Sequence, residues 1–179
     1  PGTRIADEAP ASGASPVKGL SLVRDMAVLE LSGAGLIGVP GTAERMFAAL
    51  REAGVSVTMI SQGSSEHSIC CVVPAAQAEQ GRSAIATAFA EAIADGQVEG
   101  VHVTDGIAVL AAVGDGMVGT PGVSARLFDG LARARVNIRA IAQGASERNI
   151  SVAVAAQDAV RALRAAHSAF WLSPATLSV

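Results

Sequence analysis

The chain has 179 residues and a formal net charge of −3; half of its residues are apolar, 3% are aromatic and none is Tyr. That length fits one or two small domains with a core of Val, Ile, Leu and Ala rather than rings. The mild negative charge excludes a basic footprint for phosphate backbones, the scarce aromatics exclude stacking platforms, and no apolar run approaches the roughly 18 residues that cross a bilayer, so neither a nucleic-acid nor a membrane partner is expected.

In chain order, Pro1-Gly2-Thr3 carries neither an initiator Met nor a secretory pattern, and the chain reads as a piece of something larger. Residues 6–16 have linker composition. Residues 17–23 (Val-Lys-Gly-Leu-Ser-Leu-Val) alternate in part and predict a strand; residues 26–31 predict a second, running into a glycine-rich turn. Ala43, Met46, Phe47, Leu50 and Ala53 recur at helical spacing, with Glu44, Arg45, Arg51 and Glu52 on the other face and Gly54 ending the helix. Residues 55–59 alternate as a half-buried strand. Ser64 and Ser65 make a turn, and residues 69–73 predict a strand buried on both faces or nearly so. Cys70 and Cys71 are the only cysteines and point to opposite faces of that strand, which argues against a mutual disulfide and for a reduced, cytoplasmic setting. Ile85, Ala88, Phe89, Ala92 and Ile93 mark a second helix ended near Gly96, and residues 98–103 alternate again. The order is strand–helix–strand–strand–helix–strand, which is ferredoxin-like.

The pattern then repeats. Gly33-x-Gly35-Leu-Ile-Gly38-Val-Pro40-Gly41 returns as Gly114-x-Gly116-Met-Val-Gly119-Thr-Pro121-Gly122, and Ile60-Ser-Gln62-Gly63 returns as Ile141-Ala-Gln143-Gly144. Both pairs are 81 residues apart (Gly41 to Gly122, Gln62 to Gln143), so one supersecondary unit is used twice. The second copy opens at Ile107, with a helix carrying Leu127, Phe128, Leu131 and Ala134, strands over 136–142 and 149–155, and a last helix carrying Val160, Leu163 and His167. Only residues 170–179 remain, and Pro174 suits a central strand poorly. The first half has a surplus strand and the second lacks one. Residues 17–23 are therefore expected to complete the second sheet, with the first unit inserted into the second. Two equivalent sites, or one shared between pseudo-symmetric halves, are expected.

Gly33-x-Gly35-x-x-Gly38 matches the dinucleotide fingerprint literally. Pro40-Gly41 intrudes before the helix, however, no acidic residue ends the next strand, and the units are too small and antiparallel for a doubly wound sheet. The glycines suit a tight strand-to-helix loop, with Pro40 and Pro121 presetting φ. Such a loop also offers backbone N–H groups and a helix dipole to an anion, a carboxylate as well as a phosphate. Gln62 and Gln143 end apolar strands at the same place in each repeat. Two readings stand for them: capping a turn, or reading a zwitterionic or hydroxylated small ligand with an amide that both donates and accepts. For Glu66 and Glu147, in the following turns, a solvated hairpin or a structural hydrogen bond is the favoured reading. His67, His102 and His167 show no metal spacing, and His167 falls on an apolar helical period. Asp105, Asp115 and Glu30 have no acid/base partner, and no Ser sits in a nucleophile elbow. No catalytic residue, metal ligand or cofactor site is expected in this chain.

Residues 33–50 with 60–69 resemble the first ACT domain of aspartate kinases, and residues 113–117, 121–128 and 141–152 resemble the second. The ends are similar to the closing strand of the kinase catalytic domain and, from residue 162, to the junction of fused aspartokinase–homoserine dehydrogenases. The resemblance implies an α+β fold of two tandem ferredoxin-like ACT domains, antiparallel sheets with helices on one face. It divides the chain into the end of a kinase domain and linker (1–16), a strand completing the second domain (17–24), the first ACT domain (25–105), the second (106–170) and a linker toward a downstream domain (171–179). It implies an allosteric sensor of an end-product amino acid, threonine for the fused class or lysine for many monofunctional relatives, with homo-oligomerisation through ACT domains. An assembly module without effector is the other class. The parent is expected to join kinase and dehydrogenase domains and to use ATP with Mg and NADP. Carried onto this chain, effector contacts fall on the loops from Gly35 to Ala43, with Gly38, Val39, Pro40 and Gly41 among them, and from Gly116 to Ser124, with Gly119, Thr120, Pro121 and Gly122 among them. On the strands they fall on Ser56, Val57 and Gln62 and on Asn137, Ile138 and Gln143.

Overall fold

The computed structural model describes residues 15–36, 38–63 and 67–170. Readings that fell on 1–14, 64–66 and 171–179 lie outside the described residues. The chain runs β1 (Gly19–Ser32), α1 (Thr42–Glu52), β2 (Met59–Gln62), β3 (Ser68–Pro74), α2 (Ala78–Ala88), α3 (Ala90–Ala94), β4 (Gly100–Val113), α4 (Val123–Arg133), β5 (Ile138–Gln143), β6 (Asn149–Ala155) and α5 (Ala159–Ala169). All strands join one antiparallel sheet in the order β2-β3-β1-β4-β6-β5.

Two long strands hold the molecule together. The pattern predicts separate strands over 17–23 and 26–31, and over 98–103 and from Ile107. Instead each pair is one strand of 14 residues, continuous through a bulge. At the bulge Asp25 takes φ 56 in β1, and Gly106, at the matching position of β4, takes φ 67. Glycine adopts that left-handed conformation at little cost, and Asp is among the few other residues that tolerate it. The extra residue inverts the phase of the strand, so that Leu20 and Leu22 before it and Ala27, Leu29 and Leu31 after it all face helices. The leading half of β1 pairs with the trailing half of β4, from Gly19 opposite Val113 to Val23 opposite Val109, while its second half pairs with β3 and the leading half of β4.

Three cores follow. α1 and α2 cover Leu29, Leu31, Ile69, Cys71 and Val73; α4 and α5 cover Val17, Leu110, Ile150, Val152 and Val154. Cys71 is fully buried there, and desolvation, with a smaller push from Cys70, raises its thiol pKa to about 12. On the opposite face Met26, Val28, Met59 and Val72 bury against Ile107, Val109, Ala140 and Ala153, so both units share one core. The sheet curls far enough for β2 and β5, at opposite ends of the strand order, to come into contact.

Local departures from the sequence pattern have local causes. Residues 55–57 do not join the ladder: the Val55 N–H donates to Leu50 O at 2.9 Å and the Ser56 N–H to Gln77 Oε1 at 3.0 Å, tying the segment to helix ends. The predicted second helix breaks at Phe89, at φ −103 and ψ 15, where the ring enters the core. The buried stripe of α5 is Ala159, Ala162, Ala166 and Phe170, whereas Val160 is 42% exposed and Leu163 and His167 are half-buried.

Candidate functional site

Each unit carries a loop between its long strand and its first long helix, and the two loops have the same backbone. Gly38 and Gly41 take φ 65 and 86; Gly119 and Gly122 take φ 63 and 86. A side chain at these four positions would meet no neighbour, so glycine is required by conformation and not by space. The other glycines of the motif act differently. A Cβ on Gly33 would lie 2.5 Å from both Gln97 O and Val98 Cα, and one on Gly114 would lie 3.0 Å from Val17 Cα. They admit the close approach of the segment that leads into the unit's last strand.

Gly41 and Gly122 cap 11-residue helices without any side-chain hydrogen bond to the first turn. The N–H groups there, and the positive end of the helix dipole, remain available to an anion. Thr42 stiffens the first loop by donating to Val39 O at 3.0 Å, and Thr120 stiffens the second by donating to Gly116 O at 2.7 Å.

Beside each loop lies an open cavity. The first, about 320 Å³, brings Gly38, Val39, Pro40, Gly41 and Ala43 together with Gln62. The second, about 400 Å³, brings Gly119, Thr120, Pro121, Gly122 and Ser124 together with Gln143. Both volumes lie near the lower end of small-molecule sites. The remaining sequence-predicted residues stand elsewhere. Gly35 lines a separate cavity of about 410 Å³ with Arg45, Phe89 and Gln97, and Gly116 lies against Pro16. Val57 and Ile138 pack partly buried against the helix-side cores, while Ser56 and Asn137 are exposed; none of the four lines either cavity.

The polar groups of the two cavities are not used alike. Ser124 donates from its hydroxyl to Gln143 Oε1 at 3.3 Å, whereas Ala43, its counterpart, leaves Gln62 without a side-chain hydrogen bond to any described residue. Glu147, read from sequence as a hairpin residue, reaches into the second cavity and accepts the Gly119 N–H at 2.6 Å. Its φ of 57, which no sequence pattern announces, aims it there. Thr42 in the first cavity and Met117 and Val123 in the second fall within the expected loops, whereas Ser68 and Ile69, which also line the first, were not among the expected site residues. They flank the recognised motifs and carry no signal of their own beyond that adjacency. Among the described residues, no three His, Cys, Asp or Glu side chains converge on a point fit for a metal ion.

A family model described as the ACT domain matches residues 29–89 and again 110–170. The bifunctional aspartokinase/homoserine dehydrogenase 2 of Zea mays, named chloroplastic, is 51% identical over 91% of this chain and 18% of its own length. The corresponding enzyme 1 of Arabidopsis thaliana is 48% identical over 92% of this chain and 18% of its own length. The ligand-free regulatory subunit of aspartate kinase from Thermus thermophilus superposes with a TM-score of 0.72 at 34% identity, over 87% of this chain and 99% of that one. The chain therefore belongs to the ACT domain family, with the domain present twice. Its arrangement is that of the regulatory region of an aspartate kinase. It spans about a fifth of the bifunctional relatives' length (18%).

Proposed function

We propose that the chain senses a free amino acid, threonine first among the candidates, and relays its binding to an aspartate kinase fused to a homoserine dehydrogenase. The observation that carries this reading is the duplication of one pocket. In each unit an uncapped helix N-terminus, a left-handed glycine loop and a Gln amide face the same cavity. The N–H groups suit a ligand carboxylate, and the amide suits a side-chain hydroxyl, because it donates and accepts. The long identity with bifunctional plant enzymes places the chain beside the fused class, for which the resemblance implies threonine rather than lysine, and supports a parent that uses ATP with Mg and NADP.

Both cavities are open, which fits sites completed by a neighbouring domain. β2 and β5 end the sheet, and Ile60 and Ile141 on them are 47% and 43% exposed. Pairing of such edges between copies would close the grooves, and a ligand at the seam would favour one packing over another. Coupling of about 1–3 kcal/mol is enough for feedback control. No described helix is long and apolar enough to cross a membrane. The plant relatives are named chloroplastic, so a stromal setting stands beside the cytoplasmic one expected from the cysteines.

Calorimetric titration of threonine, lysine and methionine tests the reading on the wild type, Gln62→Ala and Gln143→Ala. Threonine is expected to bind, with each substitution weakening its own site about tenfold, the scale of a lost hydrogen bond at a polar recognition site. Heat from none of the three ligands would leave assembly as the function.

A further inference from the structure

We infer that Glu147 is the resident anion of the second pocket: its carboxylate stands beside the donors a ligand carboxylate would use, and the ligand enters by displacing it. This rests on the effector reading above. The Glu147 carboxylate accepts the Gly119 N–H at 2.6 Å, within the loop that leads to the uncapped start of α4. It is the one formally charged side chain among the described residues lining that cavity, and it carries the same sign as the group the cavity suits. Glu147 leaves the N–H groups at the start of α4 free, but its charge repels a second carboxylate arriving there, so the ligand is held more tightly once Glu147 has moved aside.

The geometry behind the contact is specific. Glu147 sits at φ 57, uncommon for a residue with a side chain, and its own N–H is tied to Gly144 O at 2.9 Å. That conformation aims the carboxylate from the β5–β6 turn across to the loop. The next residue, Arg148, is committed elsewhere: its guanidinium pairs with Asp115 at 2.9 Å, and its carbonyl accepts the Gly114 N–H at 3.0 Å. Arg148 therefore does not compete for Glu147, and it keeps the turn near the loop when Glu147 lets go. Gln143 ends the strand that enters this turn. Displacing Glu147 thus changes the tether of the hairpin that carries the reading amide, and occupancy of the pocket is coupled to the β5–β6 turn.

The test uses the full chain with Gln62→Ala present, which weakens the first pocket about tenfold, so that the tighter threonine binding event reports the second. Glu147→Ala and Glu147→Gly remove the competitor, and the glycine variant suits the positive φ, guarding against a damaged turn. Both are expected to bind threonine roughly threefold to tenfold more tightly than the Gln62→Ala chain, the scale of a surface charge at a helix start. Glu147→Gln, which keeps the shape without the charge, is expected to fall between. Without ligand, the Gly119 amide should exchange with solvent faster in the alanine and glycine variants than in the wild type. Unchanged or weaker threonine binding, or an unaltered Gly119 exchange rate, would overturn the inference while leaving the effector reading intact. Absence of binding in the wild type and in every variant would remove both.

Discussion

The two units are built on one backbone but filled differently, and the differences sort into two kinds. Where the fold needs a left-handed residue it obtains one from unlike side chains: Asp25 against Gly106 at the strand bulge, Gly54 against Arg135 after the first long helix. Where the pockets are concerned the loop φ values agree to within a few degrees, while the residue beside each Gln amide differs: Ser124 hydrogen-bonds Gln143 in one unit, and its counterpart Ala43 offers Gln62 no such bond in the other. Geometry is the shared property of the halves, and ligand chemistry is where they are free to part. Breaking the matched positions in pairs shows how far the equivalence runs.

The largest effects are expected in the cores. Leu29 and Leu110 occupy matching positions, both fully buried, one under each helix pair. Leu29→Ala and Leu110→Ala should each cost about 2–5 kcal/mol. The core shared by the two units makes a single unfolding transition the expectation for both variants. Urea melts followed by circular dichroism would show it. Two separated transitions in either variant would mean that the halves unfold independently.

Next comes the close approach at the head of each motif. A Cβ on Gly114 would press on Pro16 O and lie 2.9 Å from Lys18 N, backbone that cannot swing aside like a side-chain tip. Gly114→Ala should cost about 1–3 kcal/mol, and it should do so by loosening the leading segment from the second unit. Limited proteolysis near residue 17 is the sharper readout. Protection equal to the wild type would show that the segment is held chiefly by its pairing with β4.

Much of this was legible in the sequence, and the exceptions are instructive. The constant offset between the repeats, the strand and helix patterns and the two Gln positions all marked features that the structure builds. A further match at the same offset went unread: Val17-x-Gly19 stands to Val98-x-Gly100 as Gln62 stands to Gln143, and Val17 and Val98 are buried alike, at 1% and 2%. The continuity of β1 and β4 was hidden because the bulge inverts the alternation, which looks like a strand end. The face of α5 was misread because the sheet takes small residues there, and alanines give a helix no clear phase, so Val160, Leu163 and His167 stood out instead. Glu147 could not be read as a pocket residue, since its aim depends on one backbone angle rather than on residue type.

A smaller effect, and of opposite sign, is expected where α4 ends. Gly54 takes φ 69 after α1, its N–H reaching Arg51 O at 3.0 Å; Arg135 repeats the turn at φ 53, its N–H reaching Ala132 O at 2.9 Å. A residue with a Cβ is disfavoured there by about 1 kcal/mol relative to glycine. Arg135→Gly should therefore stabilise the chain by about 0.5–1 kcal/mol, read as a rise in the melting midpoint. The hydrogen bond that Arg161 donates to Arg135 O at 3.3 Å uses the backbone and survives the change. A loss of stability would show that the Arg135 side chain contributes more than its backbone strain costs.

The smallest expected difference lies between the pockets themselves. Ser124 engages the Gln143 amide across an exposed 3.3 Å contact, so a ligand must share or replace that bond, while Gln62, in the cavity with Ala43, has no side-chain hydrogen bond to a described residue. An exposed hydrogen bond of this kind has a net worth near the low end of the usual 0.5–1.5 kcal/mol, about twofold to threefold in affinity. Ser124→Ala should tighten threonine binding at the second pocket by that factor, and Ala43→Ser should weaken the first by the same amount. Valine, which matches threonine in shape but lacks the hydroxyl, should respond less to both changes, because it asks nothing of the amide oxygen. If Ser124→Ala instead weakens threonine binding, the serine hydroxyl contacts the ligand directly, and the pockets differ by an added recognition group rather than by a restraint on Gln143.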